Sequence, residues 1–230
     1  MAKPKTAPLK VTARLADGRV MSQDGIIMLD AILYHAWFIK HHPEALKTGQ
    51  WMKYGSGHIG LPLRQNDYVT HHGKYYSASR GIYEVESVEI ERWNKRPDFF
   101  RADKTKYLDM EKGLISDSVG RHRAYRTPEK VYIIKNAHIE WWCVGHKDEV
   151  EEMLSFITFV GKKNSIGYGG VRSWIVEDVD EDYSVHHPEY GLMRPMPKDE
   201  LELDGYAVMQ YATKPPYYKK ENQVLCYVPV

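Results

Sequence analysis

The hydrophobic pattern of this chain switches between two periods, and that switching constrains the fold more than any other feature. The stretch LKVTARL at residues 9–15 alternates apolar and polar residues, which is typical of a half-buried β-strand. From Leu29 onward the apolar residues recur at steps of three and four, which predicts an amphipathic helix that ends before His42 and Pro43. The chain therefore begins with a strand and a helix that can pack against each other.

The same change of period occurs in the C-terminal half. VYIIK at residues 131–135 and HIEWWCV at residues 138–144 indicate two strands. In HKDEVEEMLSFITFV, at residues 146–160, the apolar spacing again predicts a helix, and VRSWIVE at residues 171–177 predicts the strand after it.

Two more strands are predicted between the helices, one near His58 to Leu63 and one in IYEVESVEI at residues 82–90. The complete order is strand, helix, strand, strand, insertion, strand, helix, strand. This order predicts an α+β fold with a ferredoxin-like βαββαβ domain, similar to that of RNA-recognition motifs.

Four segments follow from this order. Residues 1–90 and 128–178 form the two parts of the ferredoxin-like domain, and residues 179–230 form a β-rich C-terminal extension that ends in the strand-like QVLCYVPV. Residues 91–127 form a basic insertion with ten lysines and arginines and few apolar clusters. We interpret the insertion as a long, partly mobile loop, because a loop of this length in a compact domain is usually functional or disordered.

Composition excludes several classes of function. The net charge is +1, so any nucleic-acid surface must come from a local cluster of basic residues. The two cysteines, Cys143 and Cys226, lie far apart, so we predict no disulfide, zinc site or other cofactor and expect a reducing, cytoplasmic setting. The N-terminus lacks the apolar part of a signal peptide, and no apolar run approaches the ~18 residues of a membrane span, so we expect no membrane partner.

The glycine-rich stretch FITFVGKKNSIGYGGVRSW, residues 156–174, is the strongest functional signal. It follows a helix and precedes a strand, so it fits neither the Walker pattern nor a dinucleotide fingerprint. Its glycines would let a phosphodiester backbone approach, Lys162 and Lys163 would neutralise it, and Tyr168 could stack on a base. A purely structural alternative is a helix cap at Gly161 followed by a bulged start of the next strand.

Binding of RNA on an open sheet face is the less favoured alternative. RGIYEV at residues 80–85 has three matches to the central signature of RNA-recognition motifs, but its aromatic residues do not fall in the base-stacking positions. Binding through the loop is therefore the better prediction.

Two further features of the loop region suggest a family. The segment GKKNSIGYG at residues 161–169 matches a nine-residue form at every position. That form consists of glycine, two basic residues, any residue, serine, any residue, glycine, then tyrosine or phenylalanine, and a final glycine. This form resembles the RAMP superfamily of CRISPR-associated proteins, and GLMRPMP at residues 191–197 resembles a stretch that often follows in its effector-complex members. The run from IEWWCVG to the loop is most similar to the type IV version of the Cas-five subunit. One departure is Asn164, at a position that is often basic.

The resemblance covers residues 131–197 well and residues 9–90 only in architecture. It implies a non-catalytic subunit that caps one end of a ribonucleoprotein filament and grips the 5′ handle of the guide RNA. The implied partners are this RNA, the backbone and large subunits of the complex, and target DNA near the protospacer-adjacent end. Cas-five subunits also resemble a palm with a protruding thumb, a role that the basic insertion would take.

The predicted RNA-binding residues come from the loop, the strand after it and the insertion. Arginine suits this role because its guanidinium can contact phosphate through two hydrogen bonds. The predicted set is Lys162, Lys163, Asn164, Ser165, Gly167, Tyr168, Gly169, Arg172, Arg121, Arg123 and Arg126.

A metal-independent endoribonuclease that processes repeat RNA is the alternative from a different class. Such chemistry needs a general base near a 2′-hydroxyl, for which His35, with the preceding Tyr34 on the first helix, is the candidate. A single histidine on a helix is more often structural or at the surface, and the adjacent pairs at residues 41–42 and 186–187 lack metal-site spacing. A third option is a small-ligand enzyme whose loop holds a phosphate.

Overall fold

The computed structural model describes residues 6–44, 59–70, 72–95 and 125–229. This part of the chain has an α+β fold with small antiparallel sheets and two α-helices. The strands are β1 (Ala7–Leu15), β2 (Arg19–Ser22), β3 (Gln65–Asp67), β4 (Lys74–Tyr76), β5 (Val85–Lys95), β6 (Tyr125–Ile134), β7 (His138–Gly145), β8 (Val171–Asp178), β9 (His186–His187), β10 (Gly191–Leu192), β11 (Met196–Pro197), β12 (Ala207–Ala212) and β13 (Gln223–Val228). The helices are α1 (Leu29–His41) and α2 (Lys147–Ser155).

The central sheet is built around the predicted first strand. β1 lies between β7 and β8, so that Val11 is opposite Trp141 on one side and Val176 on the other. Leu9, Val11 and Ala13 are completely buried, which confirms the predicted alternation. All three strands were predicted from their sequences within one or two residues of the observed bounds.

Both helices pack on the buried face of the central sheet. Because their apolar residues recur at three- and four-residue steps, each helix presents one apolar side to the core cluster that includes Leu9, Val11 and Ala13 of β1. Each fully buried large side chain contributes about 1.5–3 kcal/mol. Both predicted helices are present, and α1 ends before His42 as predicted, whereas α2 ends at Ser155, before the end of the stretch predicted at residues 146–160. The buried residues of the two helices are Leu29, Asp30, Ile32, Leu33, Ala36, Phe38, Val150, Met153 and Leu154.

The outer edge of β7 is covered by irregular chain. Residues 63–82 contact it through isolated bridges, Leu63 with Gly145, Ala78 with Cys143 and Ile82 with Glu140. The strand predicted near residues 58–63 is wrong over the described residues 59–63, since only Leu63 makes a bridge there. Pro62 has no N–H group to donate to a strand ladder, which explains the interruption.

A second antiparallel sheet, in the order β2-β6-β5, contains a long two-stranded ribbon. β5 and β6 are paired from Val85 opposite Ile134 to Lys95 opposite Tyr125. The long loop predicted for residues 91–127 is therefore wrong at both ends, where residues 91–95 and 125–127 belong to strands. The rest of the predicted insertion lies outside the described residues. Charged side chains on an exposed ribbon conceal the apolar alternation on which the strand prediction depended.

The C-terminal extension folds back on the core. β13 pairs with β11 and β12 in a small sheet, which confirms the strand predicted in QVLCYVPV. Arg194 is completely buried and joins the extension to the first half of the chain. Its guanidinium donates to the carbonyl of Tyr76, to that of Ala78 at 3.0 Å and to that of Thr213 at 2.6 Å.

Cys143 and Cys226 are both buried and not bonded to each other. Burial raises the pKa of the Cys226 thiol to about 12. Among the helices of the described residues, none has the length and apolar character required to span a bilayer.

Candidate nucleic-acid interface

The glycine-rich loop between α2 and β8 is held by the second sheet. Its base is closed by the hydrogen bond from the Val160 N–H to the Gly169 carbonyl, at 2.9 Å. The Lys162 N–H donates to the Met21 carbonyl at 2.8 Å, and the Gly169 N–H donates to the Arg19 carbonyl at 2.7 Å. Two backbone bonds to β2 thus fix the loop from both sides of its tip.

Gly169 and Gly167 serve different purposes in the loop. Gly169 has φ +68°, and a Cβ atom there would lie 1.8 Å from the Val160 carbonyl oxygen, so this glycine is required for closing the loop. Gly167 has φ +98°, but a Cβ atom there would meet nothing within 4 Å. The helix cap that the structural alternative placed at Gly161 is wrong, because α2 ends at Ser155. Close packing accounts for Gly169, whereas Gly167 lies beside open space that a ligand can enter.

The tip of the loop, residues 162–167, is exposed. Lys163 is in the left-handed region (φ 60°, ψ 35°) and leads into a single 3-10 turn at Asn164–Ile166. Within that turn the N–H groups of Ile166 and Gly167 bond to carbonyls of the tip. In the described part of the chain the N–H groups of residues 163–165 make no backbone hydrogen bond, so they are available to an acceptor from outside.

The two loop lysines lie against the β5–β6 ribbon. The Lys163 Nζ lies 4.4 Å from the centre of the Trp93 ring, a cation–π contact that leaves its charge at the surface. The Lys162 Nζ is 3.5 Å from a carboxylate oxygen of Glu129 and 3.3 Å from the side-chain oxygen of Gln23. Part of the Lys162 charge is therefore balanced within the protein.

Tyr168 does not fit the predicted base-stacking role. Its side chain is only 7% exposed and packs with Met21 and Val131. Its hydroxyl donates to the carboxylate of Glu91, and this bond is the main reason that its pKa is raised. The Arg19 guanidinium lies 5.5 Å from the ring centre. The ring is thus part of the support beneath the loop, and the correction follows from packing that the loop motif alone did not reveal.

The predicted arginines are not gathered at the loop. Arg126 is exposed at the start of β6, opposite Asn94. Because side chains alternate along a strand, Arg126 lies on the face of the ribbon away from Trp93 and the loop lysines. Two exposed residues that the predicted set omitted, Arg92 and Lys130, share that face with Arg126, and we call the three residues together the basic face of the ribbon.

The remaining predicted arginines lie elsewhere or outside the described residues. Arg172 is exposed near the start of β8 and lines a polar trough of about 710 Å³ on the open face of the central sheet, with Arg14 and His138. Arg121 and Arg123 are outside the described residues. The alternation of side chains along VESVEIERWNK, the sequence of β5, is the signal that could have placed Trp93 and Arg92 on opposite faces of the ribbon.

A cavity of about 370 Å³ opens beside the loop, between the end of β2 and α1. Lys162 and His35 both line it. Desolvation lowers the pKa of His35, which favours the neutral ring. The hydroxyl of Tyr34, the preceding residue, makes no hydrogen bond within the described residues, and desolvation raises its pKa to about 12, which makes it unsuitable as a general base.

The adjacent histidines have packing contacts. His41 stacks on Trp37 with ring centres 4.5 Å apart, and His187 stacks on Tyr190 at 4.6 Å. Over residues 6–44, 59–70, 72–95 and 125–229, no group of three or more histidine, cysteine, aspartate and glutamate side chains is arranged to hold a metal ion.

Comparison with known proteins gives the class of this one, a CRISPR-associated protein of type IV. A family model matches residues 7–229, and the chain belongs to that family, described as CRISPR type IV associated protein Csf3. The resemblance inferred from the loop motif is thereby confirmed. A search of curated proteins finds no match.

Comparison with solved structures gives further likenesses. A crystal structure of a Csm3-Csm4 subcomplex in the type III-A CRISPR-Cas interference complex aligns over 96% of this chain and 90% of that chain, with 9% sequence identity and a TM-score of 0.41.

Proposed function

We propose that this protein is a non-catalytic, guide-RNA-binding subunit of a type IV CRISPR ribonucleoprotein complex. It grips the 5′ handle of the guide RNA and caps the filament of backbone subunits, next to the large subunit and the protospacer-adjacent end of the target DNA. Family membership supports the setting. The observation that carries the RNA-binding role is the exposed loop tip, which presents Lys163 and three unused N–H groups on a firmly held backbone.

The loop tip has the chemistry to bind a phosphodiester. Lys162 and Lys163 supply charge, while the backbone N–H groups of residues 163–165 and the side chains of Asn164 and Ser165 supply neutral hydrogen-bond donors. A phosphate beside Lys162 would replace its contact with Glu129, and an ion pair at 3.5 Å near the surface is worth only about 0–1 kcal/mol. Little stability would be lost on binding.

The β5–β6 ribbon takes the role of the thumb in this proposal. Its basic face, Arg92, Arg126 and Lys130, contacts RNA or the adjacent subunit. Arg121 and Arg123, which lie outside the described residues, remain predicted RNA contacts. The ferredoxin-like interpretation is part of the same proposal. A ferredoxin-like sheet has a further strand beside β7, and in this proposal residues 63–82 occupy its place.

Purification of the protein with its complex, followed by sequencing of bound RNA, tests the proposal. We expect short RNAs that share one 5′ end, and loss of that RNA fraction in a Lys162→Ala, Lys163→Ala double variant. The Lys40→Ala, Lys147→Ala double variant is a matched control, because both lysines are surface partners of carboxylates away from the loop. An assembled complex in which both double variants retain equal RNA would contradict the loop as the RNA contact.

A metal-independent endoribonuclease is the second candidate. The observation in its favour is that His35 and Lys162 line the same cavity, as a base and a phosphate-stabilising group would. Incubation of the full chain with repeat RNA and a chelator tests it. Cleavage that is lost in His35→Ala would support this candidate, and intact RNA in the presence of the wild-type chain would exclude it.

A further inference from the structure

α1 separates two neighbouring cavities. The first, of about 370 Å³, is the cavity beside the loop that Lys162 lines. The second, of about 490 Å³, lies between α1 and the segment Pro215–Tyr218 of the C-terminal extension. Ala31 and His35, one helical turn apart, line both cavities. A ligand that follows the surface from the loop therefore needs to cross only this ridge to reach the second cavity.

The walls of the second cavity are aromatic. Tyr34 and Phe38 of α1 form one wall, with ring centres 5.2 Å apart, and Tyr217 and Tyr218 contribute to the other. The Tyr217 hydroxyl donates to Asp30 at 2.8 Å, which fixes this ring, whereas Tyr218 is 47% exposed at the mouth. The cavity thus has a firm floor and an accessible aromatic rim.

The Tyr34 hydroxyl is not accessible from this cavity, because its oxygen is buried and, among the described residues, has no hydrogen-bond partner. The cavity therefore meets the ring of Tyr34, and the surface offered to an occupant consists of aromatic faces. A planar ring such as a nucleobase would stack on these faces.

We propose that the cavity between α1 and Pro215–Tyr218 receives one unstacked nucleobase of the RNA strand whose phosphates contact the loop tip. This proposal rests on the proposed function, because the loop provides the phosphate contacts that bring a base to the ridge. Stacking on tyrosine tolerates any base, so the pocket fixes the position of one nucleotide without selecting its base.

Binding of a short single-stranded RNA of about 12 nucleotides to the full chain tests the pocket. A set of such RNAs carries 2-aminopurine, and a second set carries an abasic site, at each position in turn. We expect one position at which 2-aminopurine emission changes on binding and at which the abasic site weakens binding about 5- to 100-fold. Tyr218→Ala should weaken binding of the intact RNA by a similar factor and should remove the emission change. It should not weaken binding further when the RNA already carries the abasic site at that position.

Two controls separate stacking from folding. Tyr218→Phe keeps the aromatic face and should bind intact RNA within about 3-fold of the wild type, and Tyr190→Ala removes a partly exposed tyrosine from another hairpin and should have no effect. One result would overturn the pocket alone and assign it to a side chain of a partner protein. In that result RNA binding depends on Lys163, is unchanged in Tyr218→Ala and shows no position-specific signal. Absence of RNA binding by the wild-type chain would instead overturn the proposed function itself.

Discussion

The Nη2 atom of Arg194 lies 3.7 Å from the Oδ2 atom of Asp30, and neither side chain is exposed to solvent. Asp30 is in the first turn of α1, whereas Arg194 belongs to the stretch GLMRPMP, whose resemblance to RAMP proteins carried no structural explanation in the sequence. The pair joins the helix that borders both cavities to the extension that forms one wall of the second. It is therefore a structural link on which the proposed base pocket depends.

Arg194→Met should destabilise the protein by about 3–5 kcal/mol. The substitution keeps an apolar side chain of similar length, but it leaves Asp30 and three backbone carbonyls without their buried partner, which is the costly way to break such a pair. The free energy of unfolding in urea measures the effect.

The double variant Arg194→Met, Asp30→Asn provides the control for that prediction. Removing the carboxylate charge as well should recover part of the loss, so that the two changes together cost less than the sum of each alone. Additive losses would indicate that Arg194 acts through the carbonyls and not through Asp30.

Asp30 should give the protein an unusual dependence of stability on pH. Burial raises its pKa from 3.8 to about 6, against the opposing effects of Arg194 and Tyr217. The folded protein therefore holds this proton to a higher pH than the unfolded chain does. The contribution of Asp30 to stability should be greatest below pH 4 and should fall by up to about 3 kcal/mol as the pH rises to 6.

Urea unfolding of the wild type and of Asp30→Asn at several pH values between 4 and 7 measures this contribution. The asparagine variant should lack the decline, so the difference between the two proteins should change across this range. Asp204→Asn, at an exposed position, should follow the wild type. A constant difference between wild type and Asp30→Asn would mean that the carboxylate has an ordinary pKa in the folded protein.

The sequence predicted the parts of the fold in which apolar periodicity and burial coincide. β1, α1 and α2 each have one buried side, most of β7 is buried, and β8 contains the apolar run Trp174 to Val176, so their patterns are visible in the sequence. The β5–β6 ribbon is different, because Val88 and Ile90 are 47% and 60% exposed and charged residues occupy both of its faces. The face that contains Trp93 and Val131 is partly buried but also has Glu89, Glu91 and Glu129. The periodic signal is therefore weak, and the ends of the ribbon were taken for loop.

The candidate site was predictable as a segment but not as a set of contacts. Glycine spacing and two lysines located the loop, because backbone conformation and charge are local properties. The position of Tyr168 depends on Met21, Val131 and Glu91, which come from three different strands. Contacts between distant segments leave no local signal, so neither the burial of Tyr168 nor the contact of Lys163 with Trp93 could be predicted.

Replacing Tyr168 should distinguish support of the loop from contact with RNA. Tyr168→Phe removes the hydroxyl bond to Glu91 but keeps the packed ring, so we expect a loss of about 1–3 kcal/mol in unfolding free energy and unchanged RNA affinity. Tyr168→Ala removes the ring and should cost about 3–5 kcal/mol. A Tyr168→Ala protein of normal stability with weakened RNA binding would restore the base-stacking role.

The glycines of the loop should differ in their tolerance of alanine. At Gly169 an added Cβ would overlap the Val160 carbonyl, so Gly169→Ala should open the base of the loop and cost more than about 3 kcal/mol. At Gly167 there is open space, and Gly167→Ala should cost only the ~1–2 kcal/mol of a left-handed alanine. Unfolding free energies of the two variants provide the comparison, and equal costs would contradict the observed loop closure.

The salt dependence of RNA binding should report directly on the loop lysines. Each phosphate neutralised on a single strand contributes about −0.7 to the slope of log K against log salt concentration. Lys162→Ala, Lys163→Ala should flatten this slope by up to about 1.4, corresponding to about two phosphates. Lys162→Ala alone should flatten the slope less than Lys163→Ala alone, because Glu129 already balances part of the Lys162 charge. Lys40→Ala, Lys147→Ala serves as the control, and a slope that is the same in both double variants would exclude the loop tip from contact with the RNA backbone.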